Sequence, residues 1–168
     1  MDREELRAAQ APLKTRYAED PEAALVTLRA DATLGEESIS CSVDTGRSLV
    51  EAGLHPATGG SGALACSGDM LLEALVACAG VTLRAVATSL GLDVSGTVNA
   101  EGLLDFRGTL GVAKDEGVPV GFRGIRLRFD LQHSESEADI ERLLALTERY
   151  CVVYQTLAGG VPVEVAAA

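Results

Sequence analysis

"DMLLEALVACAGVTLRAVATSLGL", residues 69–92, is the stretch of sequence that decides the fold. Asp69 favours the N-terminus of a helix, and Gly91 favours its end. Apolar residues fall on nearly every side of the helix between them, namely Leu71, Leu72, Leu75, Val76, Val81, Leu83 and Val86. A helix that is apolar all round is typical of a buried central element, and this one carries Cys78 near its middle.

The segments on both sides of this helix predict strands and one further long helix. The strands are predicted from alternating apolar residues at 23–34, 38–43, 48–54, 94–106, 124–132 and 159–165. The first three form an antiparallel meander, in which Cys41 lies on the apolar face. A second helix is predicted at residues 134–151, where Ser136 and Asp139 resemble a capping box. The order of elements predicts an α+β fold.

Length and composition predict one cytoplasmic domain. The chain has 168 residues and a formal net charge of −11, without any basic run, which argues against nucleic acid and anionic membrane as partners. The first residues lack the apolar core of a signal peptide, and no later segment reaches membrane-spanning length free of charge. We expect an N-terminal arm or helix at residues 1–22 and a single domain at residues 23–168.

The cysteines are the candidate reactive residues of this sequence. There are four cysteines but no C-x-x-C pair, and only two histidines, so the sequence predicts no metal site. From residue types alone, Cys78 and Cys151 are either two packed core thiols or the two halves of a redox pair. Cys66, in the loop before the helix, is either an incidental thiol or an alternative resolving thiol.

Two motifs resemble the OsmC/Ohr family, the osmotically induced and organic hydroperoxide resistance proteins. The first is "GDMLLEALVACAGVTLRAVA" at residues 68–87, in which Asp69 takes the place of the family's acid and Cys78 that of its first cysteine. The second is "CVVYQTL" at residues 151–157, which is similar to the family pattern C-P-V-x-x-T-L around the second cysteine. The resemblance covers roughly residues 24–165.

The resemblance implies an OsmC-like fold, with antiparallel sheets packed on a buried cysteine-bearing helix in an intertwined homodimer. It implies a thiol-dependent peroxidase of the oxidative stress response that reduces organic hydroperoxides. Cys78 would attack and Cys151 would resolve. Asp69 would belong to the catalytic site in the place of the family's acid, which holds the arginine that contacts the thiolate, although Asp69 can equally be a plain acid at a helix N-terminus. No bound cofactor is implied, because an external dithiol such as dihydrolipoamide, or a lipoyl protein, would act as the reductant.

The chain departs from the family pattern at the arginine that contacts the thiolate. In peroxidase members this arginine lies in the early hairpin or in the loop before the cysteine helix, and the matching segments here, residues 34–40 and 55–68, contain no arginine. Arg29 and Arg47 are therefore candidate partners of the thiolate, although each can equally be a solvated surface residue. Glu73 and His55 are further candidates, and Arg84 is predicted to form a structural ion pair. The alternative is therefore a catalytically weak or inactive OsmC-like protein that binds an apolar small molecule or senses redox state.

Overall fold

The computed structural model describes residues 2–5, 7–8, 10–11, 31–34, 40–44, 49–111 and 117–167. Residues 3–5, 7–8 and 10–11 are helical and are labelled α1. The elements that follow are β1 (Asp31–Leu34), β2 (Ser40–Asp44), β3 (Leu49–Gly53), a short 3-10 helix (Pro56–Thr58), β4 (Ala65–Cys66), α2 (Ser67–Leu90), β5 (Val94–Leu103), α3 (Phe106–Thr109), β6 (Gly124–His133), α4 (Glu137–Tyr150) and α5 (Val152–Gly159). This mixture confirms the α+β prediction.

The chain divides into two compact units. One, called the cysteine unit here, comprises Met1–Asp20, Ala74–Asn99 and Leu127–Ala168. The other, called the sheet unit, comprises Pro21–Glu73 and Ala100–Arg126. Cys78 and Cys151 both belong to the cysteine unit, so their surroundings can be described within one compact body.

The sheet unit contains a sheet with the strand order β1-β2-β3-β4. The pairs β1–β2 and β2–β3 are antiparallel, with Val43 opposite Val50 in the second pair, whereas β4 runs parallel to β3. The predicted meander is thus confirmed for the described part of its three strands. The first part of the predicted first strand, residues 23–30, lies outside the described residues.

The cysteine unit has an aliphatic core. Leu83, Ala87, Val94 and Leu143 are buried together, and Phe129 and Leu131 of β6 pack against them. Helix α4 carries an apolar stripe, in which Leu143 and Thr147 are buried and their neighbours Ile140 and Leu144 are half-buried. These residues are spaced three and four apart and therefore lie on one face of the helix.

Helix α2 is buried along one face only. Its buried residues, Leu75, Ala79, Leu83 and Ala87, recur every four residues, whereas Val81 is 72% exposed. The prediction of burial on all sides is wrong for the single chain, because the described elements cover only this stripe. In the described part of the chain, α2 is the one helix long and apolar enough to cross a membrane, a test that the core helix of a soluble protein also passes.

Both long helices end or begin where the sequence predicts. Gly91, at a φ of 76°, follows α2, its N–H donates to the Thr88 carbonyl, and the Leu92 N–H donates to the Ala87 carbonyl. This is the Schellman arrangement, in which glycine tolerates the left-handed conformation. At the start of α4, the Ser136 hydroxyl oxygen accepts from the Asp139 N–H at 3.2 Å, which confirms the predicted cap.

Strands β5 and β6 form a two-stranded sheet. The alternation that predicts a strand at 124–132 is seen in β6, where the apolar residues are half-buried and alternate with exposed ones, namely Ile125, Leu127, Phe129 and Leu131. At Gly96 of β5, φ is 135°, and a side chain would overlap the carbonyl oxygen of Asp130. Only glycine fits this close approach of the two strands.

The segment after α4 differs from the prediction. The sequence analysis missed α5, and it placed a strand at 159–165 where residues 161–167 have no regular secondary structure. Val161, Val163 and Val165 alternate as in a strand, but they are 56%, 82% and 95% exposed. Alternation predicts a strand only where a neighbouring strand supplies hydrogen bonds, and none pairs with this segment among the described residues.

Candidate functional site: two cysteines at the start of a helix

Cys78 lies on α2 beside the helix's buried stripe. The neighbouring Ala79 is fully buried, whereas Cys78 itself is half-buried. The α2 backbone fixes the position of its Cβ, and the small residues Ala77, Ala79 and Gly80 leave space around the sulfur. A half-buried thiol of this kind can be reached from solvent and can also be influenced by groups packed against the helix.

Cys151 forms the junction between α4 and α5. Its side chain is 1% exposed, and its backbone is extended, with φ −74° and ψ 107°. The Cys151 N–H donates to the Thr147 carbonyl at 2.9 Å, and the Cys151 carbonyl accepts from the Gln155 N–H at 2.9 Å. Cys151 is therefore the last hydrogen-bonded residue of one helix and the N-cap residue of the next.

The two cysteines meet at the N-terminus of α5. The Cys78 sulfur accepts hydrogen bonds from the backbone N–H groups of Val153 and Val152, from the Cys151 thiol and from the Thr82 hydroxyl. The first N–H groups of a helix have no partner within the helix, and the helix dipole places positive charge there. The start of α5 therefore favours an anionic sulfur.

These contacts shift the pKa values of the two thiols in opposite directions, beginning with Cys78. Burial raises the pKa of Cys78, but the donors at Val153, Cys151, Val152 and Thr82 together outweigh it and hold that pKa below the ordinary value of 9.0. Because all four donors are neutral, this stabilisation comes from hydrogen bonds and dipoles.

The pKa of Cys151 is shifted the other way. Burial raises the pKa of Cys151, and the hydrogen bond to Cys78 and the negative charge on the Cys78 sulfur raise it further, against the N–H groups of Tyr154 and Val153. Cys78 is therefore the more acidic of the two thiols, and the thiolate is the nucleophilic form of cysteine.

The predicted carboxylates lie elsewhere on α2. Asp69 is exposed in the first turn, nine residues before Cys78 and thus roughly 13.5 Å away along the helix axis. Glu73 is also exposed. That separation excludes a direct contact between Asp69 and the thiolate, so a catalytic role for Asp69 through a third group stays a prediction.

Two of the predicted arginines, Arg29 and Arg47, lie outside the described residues, so their role as cationic partners of the thiolate stays a prediction. The Arg84 guanidinium donates to the carbonyl oxygen of Val94 at 2.6 Å, so its observed partner is a backbone oxygen instead of the carboxylate that a structural ion pair requires. This bond ties α2 to the start of β5.

His55 has a local structural role in the sheet unit. Its Nδ1 accepts from the Ala57 N–H at 3.0 Å and caps the 3-10 helix, while its ring stacks on Phe106 with the centroids 4.7 Å apart. Cys66 is half-buried at the end of β4. The backbone of Cys41 pairs with Ala52 in the β2–β3 register, and its side chain lies outside the described part.

Three of the groups around Cys78 are not predicted from the sequence. Thr82 is four residues after Cys78, a spacing that places two side chains together on a helix, and this signal was available. The N–H groups of Val152 and Val153 carry no side-chain signal. Their role depends on α5, whose end at Gly160 is marked by a left-handed backbone with a φ of 61°.

No cluster of three potential metal ligands among His, Cys, Asp and Glu occurs in the part of the chain that the structure describes.

The fold and the paired thiols define an α+β protein with two cysteines that differ in acidity and contact each other. A family model described as OsmC-like protein matches residues 60–166, which is more than half of the chain. The chain belongs to the OsmC-like protein family. A comparison with curated proteins finds no match.

Solved structures share the fold. An OsmC-like protein from Mycoplasma pneumoniae is 20% identical with a TM-score of 0.65, covering 80% of this chain and 89% of that one. An organic hydroperoxide resistance protein from Elizabethkingia anophelis is 18% identical with a TM-score of 0.59, covering 82% and 91%. One from Legionella pneumophila is 20% identical with a TM-score of 0.57, covering 81% and 92%.

Proposed function

We propose that this protein is a two-cysteine thiol peroxidase that reduces organic hydroperoxides, with Cys78 as the attacking residue and Cys151 as the resolving residue. One observation carries the proposal: the Cys78 sulfur receives the Val152 and Val153 N–H groups and the Cys151 thiol, so that Cys78 ionises before its neighbour. Two solved proteins of the same fold are named for organic hydroperoxide resistance, which supports the choice of substrate class.

The first chemical step breaks the peroxide bond. The Cys78 thiolate attacks the terminal oxygen of ROOH, an S–O bond forms, the O–O bond breaks, and the alkoxide leaves and takes up a proton as ROH. Cys78 is then a sulfenic acid, oxidised by two electrons. In the second step the Cys151 sulfur attacks the Cys78 sulfur, an S–S bond forms, and the sulfenic oxygen leaves as water with the thiol proton.

Regeneration requires a dithiol from outside the protein. We propose dihydrolipoamide or a lipoyl protein, whose two thiols reduce the Cys78–Cys151 disulfide by exchange and become a disulfide themselves. Since Cys151 is 1% exposed and Cys78 is half-buried, the incoming thiol reaches the Cys78 sulfur first. This chemistry suits the reducing conditions of the cytoplasm, which is the compartment that we propose.

The proposed organic substrate and the proposed homodimer are supported by the same surface. Val81 on α2 and Val152 at the start of α5 are 72% and 70% exposed, close in sequence to the two cysteines. A second subunit covering these side chains would enclose the sulfur atoms in an apolar pocket. Such a pocket favours the alkyl group of an organic hydroperoxide over hydrogen peroxide.

The decisive experiment maps the disulfide and measures turnover. After one equivalent of cumene hydroperoxide, peptide mass spectrometry is expected to find a Cys78–Cys151 disulfide in the wild type. Cys151→Ser is expected to accumulate a Cys78 sulfenic acid that dimedone traps. Cys66→Ser, the matched control at a cysteine outside the pair, is expected to form the Cys78–Cys151 disulfide as the wild type does.

Repeated consumption of hydroperoxide distinguishes a peroxidase from a redox sensor or a binding protein. With dihydrolipoamide in excess, the wild type is expected to consume many equivalents of hydroperoxide, and Cys78→Ser is expected to consume none above background. A disulfide that forms once without continued consumption would identify a redox sensor. Failure to oxidise Cys78 at all would leave a non-catalytic binding protein and would overturn the proposal.

A further inference from the structure

A single residue separates helices α4 and α5. Helix α4 ends at Tyr150, α5 begins at Val152, and Cys151 lies between them. The backbone of Cys151 is extended, with φ −74° and ψ 107°. Because each residue has only two soft backbone dihedrals, the direction of α5 relative to α4 depends on this residue and on the contacts that cross the junction.

The side chain of Gln155 makes a contact of this kind. Its amide nitrogen donates to the carbonyl oxygen of Glu148 at 2.8 Å, seven residues earlier and on the other side of Cys151. The backbone N–H of Gln155 donates to the carbonyl oxygen of Cys151 at 2.9 Å. Gln155 is therefore bonded to the junction residue through its main chain and to the preceding helix through its side chain.

The same bond caps the end of α4. The last four carbonyl groups of an α-helix have no partner within the helix. The Thr147 carbonyl accepts from the Cys151 N–H at 2.9 Å, and the Glu148 carbonyl accepts from the Gln155 side chain. Hydrogen bonds on both sides of Cys151 thus hold its backbone in place, while its side chain is buried.

We propose that Gln155 is a positioning residue, whose side chain fixes the direction of α5 across the junction and thereby holds the Cys151 sulfur at Cys78 for disulfide formation. The inference rests on the proposed function and deepens it, because it names what keeps the resolving cysteine in place. A rotation about ψ of Cys151 would turn α5 away from α4, and the bond from Gln155 to Glu148 opposes that rotation.

The effect is largest for the step in which the disulfide closes. Closure requires both sulfur atoms at bonding distance and in a suitable orientation, so it depends on how much of the time Cys151 is correctly placed. Without the bond, α5 samples other directions, and the competent arrangement becomes less populated. The loss of one neutral hydrogen bond corresponds to a change of about two- to tenfold.

The test replaces the peroxide with oxidised glutathione. The Cys78 thiolate attacks one of its sulfur atoms, a mixed disulfide forms, and one glutathione leaves as a thiolate. The Cys151 sulfur then attacks the Cys78 sulfur, and the second glutathione leaves as a thiol with the Cys151 proton. The cysteine pair loses two electrons, which oxidised glutathione gains. Acid quenching and peptide mass spectrometry measure how fast the mixed disulfide becomes the Cys78–Cys151 disulfide.

Three full-length variants are compared with the wild type. Gln155→Met keeps the length of the side chain and removes the donor, whereas Gln155→Lys keeps a donor at the end of the chain. Gln132→Met, at an exposed glutamine of β6 in the same unit, is the matched control. Gln155→Met is expected to close the mixed disulfide about two- to tenfold more slowly than the wild type. Gln155→Lys and Gln132→Met are expected to close it at the wild-type rate.

Three outcomes overturn the inference. One is a Gln155→Met protein that closes the disulfide as fast as the wild type, even if it melts at a lower temperature, since Gln155 would then serve stability alone. Another is equally slow closure in Gln155→Lys or Gln132→Met. The third is a wild type that keeps the mixed disulfide without closing it. Closure with oxidised glutathione but no reaction with cumene hydroperoxide would reject the peroxidase and still leave the closure rates to judge Gln155.

Discussion

The sulfur atoms of Cys78 and Cys151 receive a hydrogen bond from the same backbone group, the Val153 N–H, yet their pKa values move in opposite directions. The difference arises from burial and from their mutual contact. Cys151 is the more deeply enclosed thiol and donates to Cys78, so a charge on Cys151 would be both poorly solvated and repelled. When one of the two thiols ionises, the negative charge is therefore favoured on Cys78.

The lowered pKa of Cys78 predicts how the proposed consumption of peroxide depends on pH. Because the pKa of Cys78 is lowered from 9.0, the rate of peroxide consumption is expected to rise with pH and to reach half its maximum at a pH below 9.0. Below that pKa, the thiolate fraction falls about tenfold per pH unit. Initial rates with saturating dithiol, measured from pH 5 to pH 10, test this. A half-maximal rate at pH 9.0 or above would contradict it, and Cys66→Ser serves as the control.

The residues of the site were only partly predictable. The two cysteines are recognisable because their flanking motifs resemble a family, and Thr82 could have been found from its spacing. The Val152 and Val153 amides could not, because every residue except proline has an N–H group. Which of those groups is left without a partner is decided only when α5 forms.

At the scale of elements, α5 is the feature that makes a site out of two separate thiols. Helix α5 begins directly after Cys151. The Gln155 side chain donates a hydrogen bond to the Glu148 carbonyl of α4 at 2.8 Å, and this bond connects the two helices. The sequence analysis extended the preceding helix to Cys151 and missed α5, since the adjacent β-branched Val152 and Val153 favour strand over helix.

A substitution at the first residue of α5 tests its contribution. Val152→Pro removes one N–H donor from Cys78 while keeping a residue that suits the first position of a helix. The extended backbone of Cys151 is compatible with a following proline. We expect a stable protein in which iodoacetamide modifies Cys78 about threefold more slowly at neutral pH.

The control for this change is Val163→Pro, in the exposed segment after α5, which is expected to leave the alkylation rate unaltered. Circular dichroism would verify that both variants keep the helical content of the wild type. An undiminished rate in Val152→Pro would show that this amide is dispensable for the acidity of Cys78.

At the scale of the whole molecule, helix α2 has more apolar surface than the described elements of one chain cover. The sequence predicts a fully buried α2, yet the described elements enclose only the stripe of Leu75, Ala79, Leu83 and Ala87. The apolar pattern reports the total burial of a residue, including burial against another subunit, whereas a single chain shows only the part that it covers itself. This difference supports the proposed homodimer.

A charge on the uncovered side of α2 tests the dimer. Val81→Glu places a carboxylate where Val81 is 72% exposed in the single chain. If a second copy covers this position, sedimentation is expected to show at least a tenfold weaker association than in the wild type, because an unpaired charge would be buried. Val120→Glu, at a valine that is 65% exposed in the sheet unit, is the control. A monomeric wild type, or a Val81→Glu protein that assembles normally, would reject the dimer.

The start of α5 also affects how readily the proposed disulfide is reduced back to two thiols. Backbone dipoles that stabilise a negative sulfur stabilise the reduced protein, and they lose their acceptor once both sulfurs are joined in a neutral bond. In the proposed peroxidase, the reduction potential of the pair would rise accordingly, as it does in oxidoreductases whose reduced form is stabilised. The same short helix that favours the Cys78 thiolate would then also favour reduction of the proposed disulfide.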